Sequence, residues 1–141
     1  MGWEHYKKLI VWQKAMELTT EIYRLTKLLP KEEVYSLSMQ MKRAAVSIPS
    51  NIAEGHGRKT NQEFYHFLSI ARGSCYELET QLLICDQLGF LNKEKEKSEN
   101  ALHLCDEISR MITSMISKYS ASSDAEGESP NSKLQTPKLK R

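Results

Sequence analysis

Apolar side chains in the first part of this 141-residue chain recur at Val11, Ala15, Leu18, Ile22, Leu25 and Leu29. The steps alternate between four and three residues, which is the period of one helix face and not of a strand. Trp12, Met16 and Tyr23 widen the stripe and Pro30 stops it. The pattern predicts a first helix over about residues 7–28.

Three further stripes of the same kind follow. Val34, Leu37, Met41, Ala45, Ile48 and Ile52 predict a second helix over about residues 32–54. Pro49 falls inside it, removes the bond to the Ala45 carbonyl and is expected to kink it. Gly55 is expected to cap it, leaving Gly55 to Lys59 as a tight basic loop. Phe64, Phe67, Leu68, Ala71, Cys75, Leu78, Leu82 and Cys85 predict a third helix over about 61–88. Thr60 with Glu63 reads as its capping box, and Gly89 ends it. Gly73 interrupts this helix at a cost of about 1 kcal/mol relative to Ala, so a close neighbouring helix is expected there. Ala101, Leu104, Ile108, Met111 and Met115 predict a fourth helix over about 93–119, with Asn92 as its N-cap.

A helix with one apolar stripe must bury it, and short connections make consecutive helices antiparallel. The expected fold is therefore all-α: an antiparallel up-down-up-down four-helix bundle over residues 1–120. Residues 121–141 change composition sharply, with a Ser-Ser-Asp-Ala-Glu-Gly-Glu-Ser-Pro-Asn-Ser run that has little to bury. They are expected to form a disordered tail, ending in Lys138, Lys140 and Arg141.

Composition narrows the function classes. Cys75, Cys85 and Cys105 are an odd set without C-x-x-C spacing, each in an apolar helical stripe. They read as small hydrophobes in a reducing, cytoplasmic setting, not as a disulfide framework or zinc site. No apolar run approaches the ~20 residues of a membrane span, and no signal peptide is visible. His5, His56, His66 and His103 show no metal-ligand spacing, so no metal or other cofactor is expected. His66 is expected to pair with Glu63. Gly55-x-Gly57-Arg58-Lys59 lacks the spacing and the strand of a P-loop. Arg58 and His66 are eight apart across a helix start, a poor arrangement for a small helical ribonuclease. Glu77 and Glu79 face different ways on a helix. The chain is thus expected to be non-catalytic, with no small-molecule substrate.

The net charge of +2 is unevenly spread. Residues 1–60 hold ten Lys/Arg against six Asp/Glu, and residues 61–120 hold six against nine. In an antiparallel bundle the start of helix 1 lies near the end of helix 2. Lys7, Lys8, Arg58 and Lys59 are therefore expected to cluster, with Lys14, Lys42 and Arg43 as further candidates for phosphate contact. The region beside the N-terminus of helix 3 also favours anions. No RNA-reading aromatic motif is present, so recognition would follow charge and shape. Trp3, Tyr6 and Trp12 are candidates to close the bundle end or to dock on a neighbour. Gln40, Ser47, Asn51 and Glu54, with Arg43 beside them, form a polar stripe along helix 2. It is open to reading as an exposed face, a subunit interface that fixes register, or a ligand site.

The run Ser47-Ile48-Pro49-Ser50-Asn51-Ile52-Ala53-Glu54-Gly55 resembles the signature of the four-helix-bundle family of 23S ribosomal-RNA intervening-sequence proteins. Gln40 to Ala45, Ala71 to Glu79 and Trp12 to Ala15 are similar too, and the likeness covers about residues 5–118. The resemblance implies a ring-like homopentamer. Some members are encoded inside insertions in the large ribosomal RNA gene. A distant branch accompanies a reverse transcriptase and nucleic acid as the accessory protein of diversity-generating retroelements. The resemblance thus implies RNA, DNA or a nucleic-acid enzyme as partner. A structural adaptor homo-oligomer that binds a protein is the alternative.

Overall fold

The computed structural model describes residues 2–125, with side chains from His5 to Lys118. Four α-helices, α1 Ile10–Thr26, α2 Leu37–His56, α3 Asn61–Leu88 and α4 Lys95–Ala125, are joined by short 3-10 segments and turns. There is no strand among the described residues. Partner residues show the antiparallel order. Thr19 meets Ala45 while Tyr23 meets Lys42, Met41 meets Cys85 while Ser47 meets Ser74, and Arg72 meets Thr113 while Asp86 meets Lys95. Helix α1 packs on α2 and α4, and α3 packs on the same two, which is the up-down-up-down bundle.

The expected stripes are the core. Val11, Ala15, Leu18, Ile22 and Leu25 are buried from α1, and Met41, Ala45, Ile48 and Ile52 from α2. Leu68, Ala71, Cys75, Leu78 and Leu82 join them from α3, and Ala101, Cys105, Ile108 and Ile112 from α4. Each large side chain contributes roughly 1.5–3 kcal/mol through the water it leaves.

The helix ends differ from expectation for local reasons. A 3-10 helix, Gly2–Lys8, precedes α1, so Lys7 and Lys8 lie outside that helix. Leu9 is extended there, and the Gln13 side chain donates back to the Lys7 carbonyl at 2.8 Å. The second stripe starts late because Lys31–Glu33 is a 3-10 turn and Ser36 is non-helical. The Ser36 hydroxyl instead donates to Glu33 Oε1 at 2.7 Å. Asn92 is not the N-cap of α4; it opens a 3-10 turn, Asn92–Glu94. Helix α4 continues to Ala125, five residues past the expected boundary. No strong breaker occurs between Gly89 and Gly127, and Ser and Ala tolerate helix. The expectation of a disordered tail over residues 126–141 lies outside the described residues.

Two ends are as expected. Thr60 Oγ1 accepts from the Glu63 N–H at 3.1 Å and donates to its carboxylate at 3.2 Å. Gly89 closes α3 at φ +76°, the left-handed region where glycine is favoured.

Gly55 does not cap α2. It is buried inside the helix, and a Cβ there would sit 2.6 Å from Phe67 Cβ. This glycine lets the last turns of α2 lie against the start of α3. Gly73, expected to serve such an approach, is exposed, and an added Cβ would meet nothing within 4 Å.

Candidate nucleic-acid interface

The chain runs through Pro49 as continuous helix. The Ala45 carbonyl, which Pro49 cannot reach with an N–H, is served from another helix. Thr19 Oγ1 on α1 lies 3.0 Å from it and 2.8 Å from the Ala15 carbonyl. The hydroxyl proton is shared between the two, so the orphan acceptor becomes a tie between α1 and α2.

The polar stripe of α2 divides. Asn51 donates to the Ser47 carbonyl and hydroxyl at 2.8 and 2.9 Å, and Ser74 on α3 donates to Ser47 Oγ at 2.8 Å. Ser47 therefore ties α2 to α3 inside the chain, and Asn51 braces Ser47 from one turn further along α2. Glu54 holds Arg58 at 2.8 Å. Gln40 and Arg43 are exposed. The five residues are not one continuous surface.

The basic candidates also divide. Gly2–Lys8 packs on α2, and the His5 and His56 rings lie 6.3 Å apart, edge to face. Lys7 and Lys8 thus share one end of the bundle with Arg58 and Lys59, and all four are exposed. Arg58 stacks over Phe67 at 4.8 Å while paired with Glu54. Lys14 instead bridges to Glu107 of α4 at 3.1 Å. Lys42 sits over the Tyr23 ring at 5.2 Å, and with Arg43 it rims a groove over α1 and α2, away from that end.

Sequence reasoning missed the two histidines at this end. The signal was available: His5 precedes Lys7 by two and His56 precedes Arg58 by two. Burial against the helix end holds the His56 imidazole below its usual range, and the neighbouring His5 adds to this. His56 also meets the Phe64 ring edge to face at 5.7 Å. The N-terminus of α3 is occupied by its own Glu63 carboxylate, which already answers the helix dipole. Tyr6 and Trp12 stack edge to face at 5.3 Å.

Other chemistry is sparse. His66 packs on Phe67, with ring centres 5.4 Å apart, and Glu63 is engaged with Thr60. Among the described residues no three His, Cys, Asp or Glu are grouped to hold a metal ion. Among the described residues no helix is long and apolar enough to cross a membrane. The cysteines are free and buried, and burial pushes the Cys75 thiol up to about 12 and the Cys85 thiol up to about 11. Cys85 contacts Met41 sulfur to sulfur at 3.7 Å.

A profile described as 23S rRNA-intervening sequence protein matches residues 7–114. The chain belongs to the 23S rRNA-intervening sequence protein family. A crystal structure similar to it is a protein of unknown function from the S23 ribosomal protein family of Bacteroides thetaiotaomicron. The two are 26% identical with a TM-score of 0.69, covering 76% of this chain and 98% of the other. Comparison with curated proteins returned no match. The family match spans all four helices of the bundle and stops before the end of α4.

Proposed function

We propose that this member of the 23S rRNA-intervening sequence family is a non-catalytic homo-oligomer that binds nucleic acid by charge. The binding surface is the bundle end bearing Lys7, Lys8, Arg58 and Lys59. The observation that carries this reading is the docking of the 3-10 helix Gly2–Lys8 on α2, which sets two basic pairs distant in sequence on one end.

The pairing of Arg58 with Glu54 does not remove it from this surface. An exposed i,i+4 ion pair contributes only about 0–1 kcal/mol, so a phosphate competes with the carboxylate. Stacking on Phe67 holds the guanidinium in place while leaving its N–H groups available. An oligomer multiplies the number of phosphates neutralised per particle, and affinity rises with that number. With charge as the main term, binding tracks backbone density and not sequence. Lys14 lies outside this surface, because Glu107 holds it.

The test is binding of a fluorescent RNA by the parent and by Arg58→Glu/Lys59→Glu. Loss of binding with helical content and oligomer mass unchanged supports the reading. Undiminished binding by the variant refutes it.

A further inference from the structure

The basic end carries a second feature besides its charge. Arg58 lies over the Phe67 ring at 4.8 Å, and Glu54 holds one edge of the guanidinium at 2.8 Å. The Arg58 side chain is still 42% exposed. With one face on the ring and one edge on the carboxylate, its other face is turned to solvent. A guanidinium is planar and weakly hydrated, so a face held open in this way accepts a flat ring.

Phe67 is fixed beneath it. A Cβ at Gly55 would stand 2.6 Å from Phe67 Cβ and 3.4 Å from Phe67 Cγ, so the ring reaches this place only because the α2 backbone is bare there. His66 packs beside Phe67 with ring centres 5.4 Å apart. The stack is therefore built into the fold and not assembled on binding. Its two members are nine apart in the sequence and sit on either side of a helix start, so no linear aromatic motif announces them. Lys42 over Tyr23 also sets a cation on a ring, but an ammonium offers no plane.

We propose that the outer face of the Arg58 guanidinium, backed by Phe67, is a stacking platform for an unpaired nucleobase, so that the basic end takes single-stranded nucleic acid. This assignment rests on the charge-driven binding proposed above and names its substrate class. Bases inside a duplex stack on one another and present no free face. A base in a single strand can turn out and stack on an aromatic ring or a guanidinium plane. Lys59 follows Arg58 directly, and Lys7 and Lys8 share the same end, so cations for the flanking phosphates adjoin the platform. Every base has a π-face, so the platform selects strandedness and not sequence.

The test uses two end-labelled probes of equal charge, an oligothymidylate of about 12 nucleotides and an abasic deoxyribose-phosphate strand of the same length. The readout is the ratio of their affinities for each protein at about 50 mM salt. The parent is expected to bind the base-bearing strand roughly tenfold more tightly. Arg58→Lys keeps the charge but loses the plane, and is expected to bring the two affinities together. Lys59→Gln removes a charge and no plane, and is expected to weaken both strands alike. Equal affinities in the parent overturn the platform and leave the charge reading standing. A preference that survives intact in Arg58→Lys, or is lost equally in Lys59→Gln, overturns the assignment to the Arg58 plane. A parent that binds neither strand overturns both the platform and the charge reading beneath it.

Discussion

Alanine at Gly55 and alanine at Gly73 should move stability in opposite directions, although both replace a glycine inside a helix. At Gly55 the new Cβ falls 2.6 Å from Phe67 Cβ and 3.0 Å from Phe64 Cδ1. Ordinary carbon contact is 3.5–4.0 Å, so the ends of α2 and α3 must separate by about 1 Å. Phe67 cannot rotate away, because its Cβ is fixed to the α3 backbone. Overpacking of this kind costs roughly 1–3 kcal/mol, and the gain in helix propensity returns about 1 kcal/mol. Because backbone must move, the cost lies toward the upper end, and a net loss of about 1–2 kcal/mol follows. For a bundle of this size that lowers Tm by roughly 3–8 °C. At Gly73 the added methyl meets nothing, so the same substitution should stabilise by about 0.5–1 kcal/mol. Urea unfolding followed by far-UV circular dichroism measures both. Gly55→Ala at or above parental stability would refute the close-approach argument.

Other outcomes follow from the same geometry. Thr19→Val leaves the Ala45 carbonyl without its donor and should cost about 1–2 kcal/mol. In a Pro49→Ala background the helix supplies that donor, so most of the Thr19→Val cost should vanish in a double-mutant cycle. His56 should titrate below 6.5 by NMR, and bound RNA should move it upward. Because its folded value is depressed, the native state binds fewer protons there than the unfolded chain. Its stabilising effect is therefore complete above the unfolded value of 6.5 and is lost as pH falls through the lower folded value. His56→Asn should flatten that part of a stability–pH curve. The native thiols should react with a neutral-pH thiol reagent only on unfolding, since burial holds Cys75 and Cys85 far above neutral.

The bundle was legible because each helix carries a stripe with one unambiguous period, and such a stripe can be satisfied only by other stripes. The capping box at Thr60 and the cap at Gly89 were legible because their chemistry is local. Gly55 and Gly73 were assigned the wrong way round. A glycine near a helix end looks like a cap and one in the middle looks like a contact, but only the helix crossing decides which backbone needs the space. The Pro49 effect was half legible: the lost donor follows from the sequence, whereas its replacement by Thr19 depends on how α1 and α2 align. The basic end was readable from topology alone. The separation of Lys14, Lys42 and Arg43 from it was not, because that depends on where Glu107 and Tyr23 fall on neighbouring helices. The polar stripe on α2 misled because Ser47 found the Ser74 hydroxyl on α3, while Asn51 turned back onto Ser47 within α2.

The proposed function is tested most directly by the salt dependence of RNA binding, with the parent and Arg58→Glu/Lys59→Glu followed from about 50 to about 200 mM salt. Parental affinity should fall linearly on a log–log plot, and the variant should show weaker binding with a visibly shallower slope. Parental binding that holds constant across that range, or no binding at its low end, would contradict a charge-driven interface.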